Sequence, residues 1–70
     1  MHRYLVVIER AADNYAAYCP DLPGCVATGE TKEETEVNMQ EAIQMHLDGL
    51  REDNLPIPKP TASAEYILAE

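Results

Sequence analysis

Basic side chains are scarce in this chain. Five lysines and arginines stand against thirteen aspartates and glutamates, which leaves a formal net charge of −8. A protein that grips nucleic acid through its phosphates needs the opposite balance, so direct nucleic-acid binding is not expected. Long apolar runs are missing too. Nothing approaches the roughly 20 residues that span a bilayer, so no membrane partner is expected. The first strand-like run begins at Arg3 with no basic, cleavable leader before it, and a cytoplasmic, reducing compartment is the expectation.

Cysteine occurs twice, which permits one disulfide at most, and in a reducing compartment both thiols are expected to be free. Five residues separate Cys19 from Cys25, a spacing that fits neither a C-x-x-C redox motif nor a zinc knuckle. His2 and His46 are far apart in sequence, and His46 falls within an apolar stripe, where a packed histidine is the simpler reading. No nucleophile elbow, phosphate-binding loop or dinucleotide fingerprint is present. Asp13, Asp21 and Glu30 sit at turns and caps, where short acids have local reasons to be. No catalytic residue, cofactor or metal is therefore called for.

What is present is a short, patterned chain of seventy residues, the size of one small domain whose core is marginal on its own. "RYLVVIE" (3–9) is rich in β-formers, with Tyr4, Val6 and Ile8 on one face and Leu5 and Val7 on the other. "YAAYC" (15–19) reads as a second strand, and "CVATGE" (25–30) as a third. Between them lies "CPDLPGC". Pro20 and Pro23 stiffen it, Gly24 supplies a positive φ, and Asp21 can cap the turn. Either this is a rigid exposed loop offering Leu22 to a partner, or it is a well-made strand connection.

The period then changes. Thr31 and Glu34 form a T-x-x-E capping box, and Met39, Ala42, Ile43, His46, Leu47 and Leu50 recur on one helical stripe, predicting a helix from about Lys32 to Glu52. Pro56, Pro58 and Pro60 stop it and make an extended tie. "AEYILAE" (64–70) predicts a last strand at the sheet edge. The order is β-β-β-α-β, an α+β arrangement. One helix covers one face of a sheet, yet the strands are apolar on both, so a homo-oligomer is expected, with Tyr4, Val6, Tyr15 and Tyr66 as interface candidates.

Acids concentrate between residues 30 and 53: eight of them against Lys32 and Arg51, six units negative. This is either a solvated, self-repelling surface or a field that steers a basic partner.

Two stretches together, "YAAYCPDLPGCVATGETKEE" and "AIQMHLDGLREDNLPIPKP", resemble the HicB-type antitoxin family. The shared elements are Pro20 to Cys25, Gly29 to Glu34 at the helix start, and Leu55-Pro56-Ile57-Pro58 after it. Thr35 stands where alanine is common and Asn54 where glycine is frequent; asparagine still accepts the left-handed conformation that ends a helix. The resemblance implies a partial ribonuclease-H-like fold: a small antiparallel sheet with one packed helix, and one domain over residues 1–70. It implies a non-enzymatic module of a type II toxin–antitoxin system that covers the RNA-binding surface of a HicA-like basic ribonuclease toxin, and assembly as dimers or tetramers. Longer members add a DNA-binding domain that this sequence does not carry, so no operator binding is expected. The toxin-interface candidates are Asp21, Leu22, Pro23, Glu30, Glu33, Glu34 and Glu36. The alternative is a self-assembling domain that binds some other protein and no toxin.

Overall fold

The computed structural model describes residues 2–70. Three strands, β1 (Val7–Arg10), β2 (Tyr15–Tyr18) and β3 (Val26–Gly29), form one antiparallel sheet in the order β1-β2-β3. A single helix, α1 (Lys32–Glu52), follows. The α+β class and the β-β-β-α order agree with the sequence pattern. The ladder pairs Ile8 with Ala17 and Ala17 with Ala27, which puts these three on one face with Val6, Cys19 and Cys25. That inner face meets α1. Leu5, Val7, Ala16, Tyr18 and Val26 fall on the other face, where Tyr18 and Val26 are exposed and no described residue covers them.

Two expected elements differ. The first strand is ladder-paired only from Val7, because β2 supplies partners no further than Tyr18; Tyr4 to Val6 run on beyond the pairing. The last strand is absent. Residues 64–70 have no neighbouring strand, and β-prone side chains without a ladder do not make one. Tyr66, Ile67 and Leu68 are instead almost wholly in solvent.

The helix obeys its sequence signals closely. Glu34 donates its backbone N–H to Thr31 Oγ1 at 3.0 Å, while its own carboxylate accepts the N–H of Glu30, the residue before the cap, at 3.2 Å, a capping box whose return bond is set one residue back. At the other end Asn54 is left-handed, with φ of 55°. Its N–H reaches the Arg51 carbonyl at 3.1 Å and the Leu55 N–H reaches the Leu50 carbonyl at 2.9 Å, the Schellman pattern. Met39 and Leu47 are buried, with Ala42, Ile43 and Leu50 packed around them, so the stripe faces the core as expected. His46 is half-buried on it.

The join between β3 and α1 is tight. A Cβ on Gly29 would lie 2.6 Å from Thr35 Oγ1 and 2.8 Å from its backbone nitrogen, so glycine is needed for the close approach. Thr35 itself is fully buried and donates its hydroxyl to the Thr31 carbonyl at 2.7 Å. Asn38 adds a second tie, from Nδ2 to the Thr28 carbonyl at 2.8 Å.

Candidate functional site

The loop between β2 and β3 is two successive β-turns. The Leu22 N–H donates to the Cys19 carbonyl at 3.1 Å, closing a turn with Pro20 at its second position. The Cys25 N–H donates to the Leu22 carbonyl at 3.0 Å, closing another with Pro23 second and Gly24 third. Gly24 has φ of +82°, as a type II turn requires at that place. The proline φ is preset for both turns, so the sequence writes this conformation locally. The Cys19 N–H to Cys25 carbonyl bond, 3.2 Å, seals the base.

Leu22 is the joint between the turns, and its side chain is wholly buried against Ala17, Cys19, Cys25, Met39 and Leu47. Of the two readings open for this loop, exposed anchor or strand connection, the structure has the strand connection, with Leu22 in the core. The reason is geometric: a double turn must send its shared residue to one side, and here that side is the sheet's inner face. Both thiols are unpaired and buried, and burial pushes the Cys25 thiol up, helped by neighbouring Cys19. Neither has the exposed, electropositive setting of a reactive cysteine.

Asp21 is engaged within the chain as well. Its carboxylate accepts the Thr61 N–H at 3.1 Å, the Thr61 hydroxyl at 2.9 Å and the Ala62 N–H at 3.1 Å. These bonds, the Ala62 amide first, hold its pKa below the ordinary carboxylate value. The sequence placed Asp21 in a turn; its partners lie 40 residues on, with nothing local to announce them. Tyr4 makes a similar long tie, donating its hydroxyl to the Pro58 carbonyl, and partial burial raises its pKa. The proline tie is thus fastened at both ends of the loop side. Of the loop candidates only Pro23 stays exposed and uncommitted to the core.

The helix-start acids are distributed differently. Glu30, Glu33, Glu34 and Glu36 are all exposed. Glu34 is engaged in the capping box, whereas Glu33 and Glu36 project from the first turns of α1. Negative side chains there also suit the positive end of the helix dipole. Glu36 further borders a groove of about 700 Å³ between residues 2–8 and α1, whose apolar lining includes Tyr4, Val6, Ile8, Met39, Ile43 and Leu47. The sequence did not single out this groove. It exists because α1 lies over β3 and β2 and leaves the inner side of β1 open. The oligomer candidates Tyr4 and Val6 line it; Tyr15 is half-buried on β2, and Tyr66 stands fully in solvent. Among the described residues no three His, Cys, Asp or Glu side chains converge as a metal site, and no helix is long and apolar enough to cross a membrane.

This arrangement offers an acidic helix start and an open apolar groove, both suited to contact with another macromolecule. Comparison with known proteins gives the family. Residues 4–70 match the model of the HicB-like antitoxins of bacterial toxin–antitoxin systems. A 14.9 kDa protein of Haemophilus phage HP1 is 39% identical over 64 residues, covering 91% of this chain and 48% of that protein. A UPF0150 protein of Synechocystis is 38% identical over 60 residues, covering 84% of this chain and 76% of its own. The antitoxin HicB 2 of Photorhabdus laumondii is 33% identical over 63 residues, 90% of this chain and 45% of that one. The chain thus spans about half the length of the phage protein and of the Photorhabdus antitoxin. Among solved structures, a HicA3 and HicB3 toxin–antitoxin complex contains a chain that superposes with a TM-score of 0.72 at 28% identity, over 86% of this chain and 70% of that one. Matched over all but its first three residues by the family model, the chain belongs to the HicB-like antitoxin family.

Proposed function

We propose that the chain neutralises a HicA-like toxin by binding, without catalysis of its own, and that it does so by covering the toxin's basic RNA-binding surface with the acidic start of α1. Family membership supports the antitoxin role. The complex named for HicA3 and HicB3, whose chain shares this fold at 28% identity, supports the class of partner. The observation that carries the mechanism is the exposed cluster of Glu30, Glu33 and Glu36 at one end of a rigid helix. A ribonuclease toxin holds RNA through Lys and Arg contacts to phosphate, and carboxylates fixed on a helix occupy the same cationic surface. The net charge of −8 favours a basic protein over nucleic acid as the partner, and direct operator binding by this chain is not part of the proposal.

Exposed interfacial charges chiefly set the rate of encounter, while well-packed groups set the rate of escape. Glu33→Gln with Glu36→Gln, leaving the capping Glu34 intact, is the informative variant. Surface-binding kinetics against the cognate toxin should show slower association and a flatter salt dependence, with dissociation little changed. Association at the wild-type rate with the same salt slope would reduce these acids to a solvated helix face and sink the proposed mechanism.

A further inference from the structure

The segment between β2 and β3 holds both cysteines of the chain, and the role proposed above uses neither. Their placement is set by the sheet. The β2–β3 ladder pairs Ala17 with Ala27 and Tyr18 with Val26, so the next opposed pair is Cys19 and Cys25. The Cys19 N–H donates to the Cys25 carbonyl at 3.2 Å, which makes this the hydrogen-bonded kind of pair. By alternation both side chains share the inner face with Ala17 and Ala27, and both lie in the core, 3% and 5% exposed. Burial raises the Cys25 pKa, and so does neighbouring Cys19, so the two thiols sense one another.

Opposed residues of such a pair stand about 5.5 Å apart at Cα, inside the range that a disulfide bridges. Their Cβ atoms, about 4.5–5.5 Å apart in a sheet, must approach by about 1 Å. The end of the ladder permits that. The pair's second ladder bond is missing there, since the Cys25 N–H turns to the Leu22 carbonyl instead. We propose that Cys19 and Cys25 form a reversible redox pair: free thiols at rest, closed to one disulfide across the base of the loop when a small disulfide such as oxidised glutathione accumulates. One thiolate attacks a glutathione sulfur and expels a glutathione thiolate. The other then attacks the protein sulfur of that mixed disulfide and expels the second. Two protein thiols are oxidised, one glutathione disulfide is reduced to two thiols, and the two protons the protein gives up end on them. Both thiols are buried, so exchange passes through opening of the loop and is slow. Once made, the bond fastens β2 to β3 beneath Leu22 and Asp21. Asp21 holds Thr61 and Ala62 at the foot of the tail, residues 64–70, so one bond steadies the loop that serves both the core and that tie. This rests on the cysteine pair alone and stands apart from the reading of the toxin partner.

The test equilibrates the full chain in glutathione buffers of graded thiol-to-disulfide ratio, in native conditions and in strong denaturant, and reads the acid-quenched products by mass spectrometry. A fold that suits the bond stabilises it by the same factor by which the bond stabilises the fold. Half-closure is therefore expected in a buffer about tenfold or more reducing for the native protein than for the denatured one. The closed chain, carrying no glutathione, should melt about 5 °C or more above the reduced chain. Cys19→Ala and Cys25→Ala should each abolish that difference in melting. The proposal is overturned if native closure needs a buffer as oxidising as the denatured chain does, or if the closed chain melts no higher. It is also overturned if the end product is a glutathione adduct or a cross-linked pair of chains.

Discussion

Leu22 and Leu68 occupy segments of similar make-up, a few apolar residues beside an acid, yet Leu22 has 0% of its surface in water and Leu68 has 94%. What separates them is closure. Around Leu22 the chain returns on itself within seven residues through two proline-set turns, and the hydrogen bonds of the loop are made inside it. The backbone is already fixed when the side chain enters the core, so its burial adds little further ordering cost. Around Leu68 nothing closes. The nearest fixed point is Ala62, and from there the extended backbone has no ladder in its own chain. Apolar content alone does not bury a residue; the backbone must first have partners for its own polar groups.

The contrast breaks most severely at Leu22. Leu22→Ala removes a fully buried side chain from a core of six buried apolar residues and leaves a cavity beneath a loop too rigid to collapse into it. A loss of about 2–5 kcal/mol is expected, most of what a domain this small possesses. Chemical denaturation followed by circular dichroism should find the variant largely unfolded at ambient temperature. A drop under about 1 kcal/mol would show that the loop repacks and that its closure is looser than the hydrogen bonds indicate.

Asp21 links the closed segment to the start of the open one. Its carboxylate holds Thr61 and Ala62, and those bonds depress its pKa. A depressed folded-state pKa means the contribution is complete above the ordinary carboxylate range and is lost as pH falls through the lower, folded value. The Thr61 and Ala62 amide resonances should stay constant from neutral pH down to about pH 4 and move below it. Asp21→Ala should give their released positions at every pH. Resonances that titrate identically in the variant would mean that some other group holds the tie, and the tail would lose its fixed point of departure.

Much of this contrast was legible in the sequence, and the illegible parts share a cause. The turns were written locally, by Pro20, Pro23 and Gly24, and so were both helix ends, by the Thr31–Glu34 box and by Asn54. The stripe from Met39 to Leu50 found the core by period alone. Leu22 stays open in the sequence, between an exposed anchor and a strand connection, because the side to which a turn's junction points depends on what lies beneath it. Asp21 was read as a turn acid because its partners lie 40 residues away. Residues 64–70 were read as a strand from β-propensity, which describes how well a side chain suits a sheet and says nothing of whether a neighbour exists. For the candidate site, the exposure of Glu33 and Glu36 followed from the helical period. Glu34 is exposed as well, and its carboxylate also accepts the Glu30 N–H at the helix start.

The smallest effect is expected at Leu68, and its smallness is the sharpest statement of the comparison. In a single chain Leu68 touches nothing that folding buries, so Leu68→Ala should change the unfolding free energy by no more than about 0.5 kcal/mol when the protein is dilute. The same chemical change costs several-fold more at Leu22 because there it opens a cavity. The equality should fail as concentration rises. If the tail docks on a second copy, assembly stabilises the folded state by mass action, and the wild-type melting temperature climbs with concentration while that of the variant climbs less. Melting curves of both proteins over a concentration series provide the measurement. Two curves that coincide throughout would mean that Leu68 is as idle in the assembled protein as in the single chain, and the tail would then have to be explained by some partner other than a second copy.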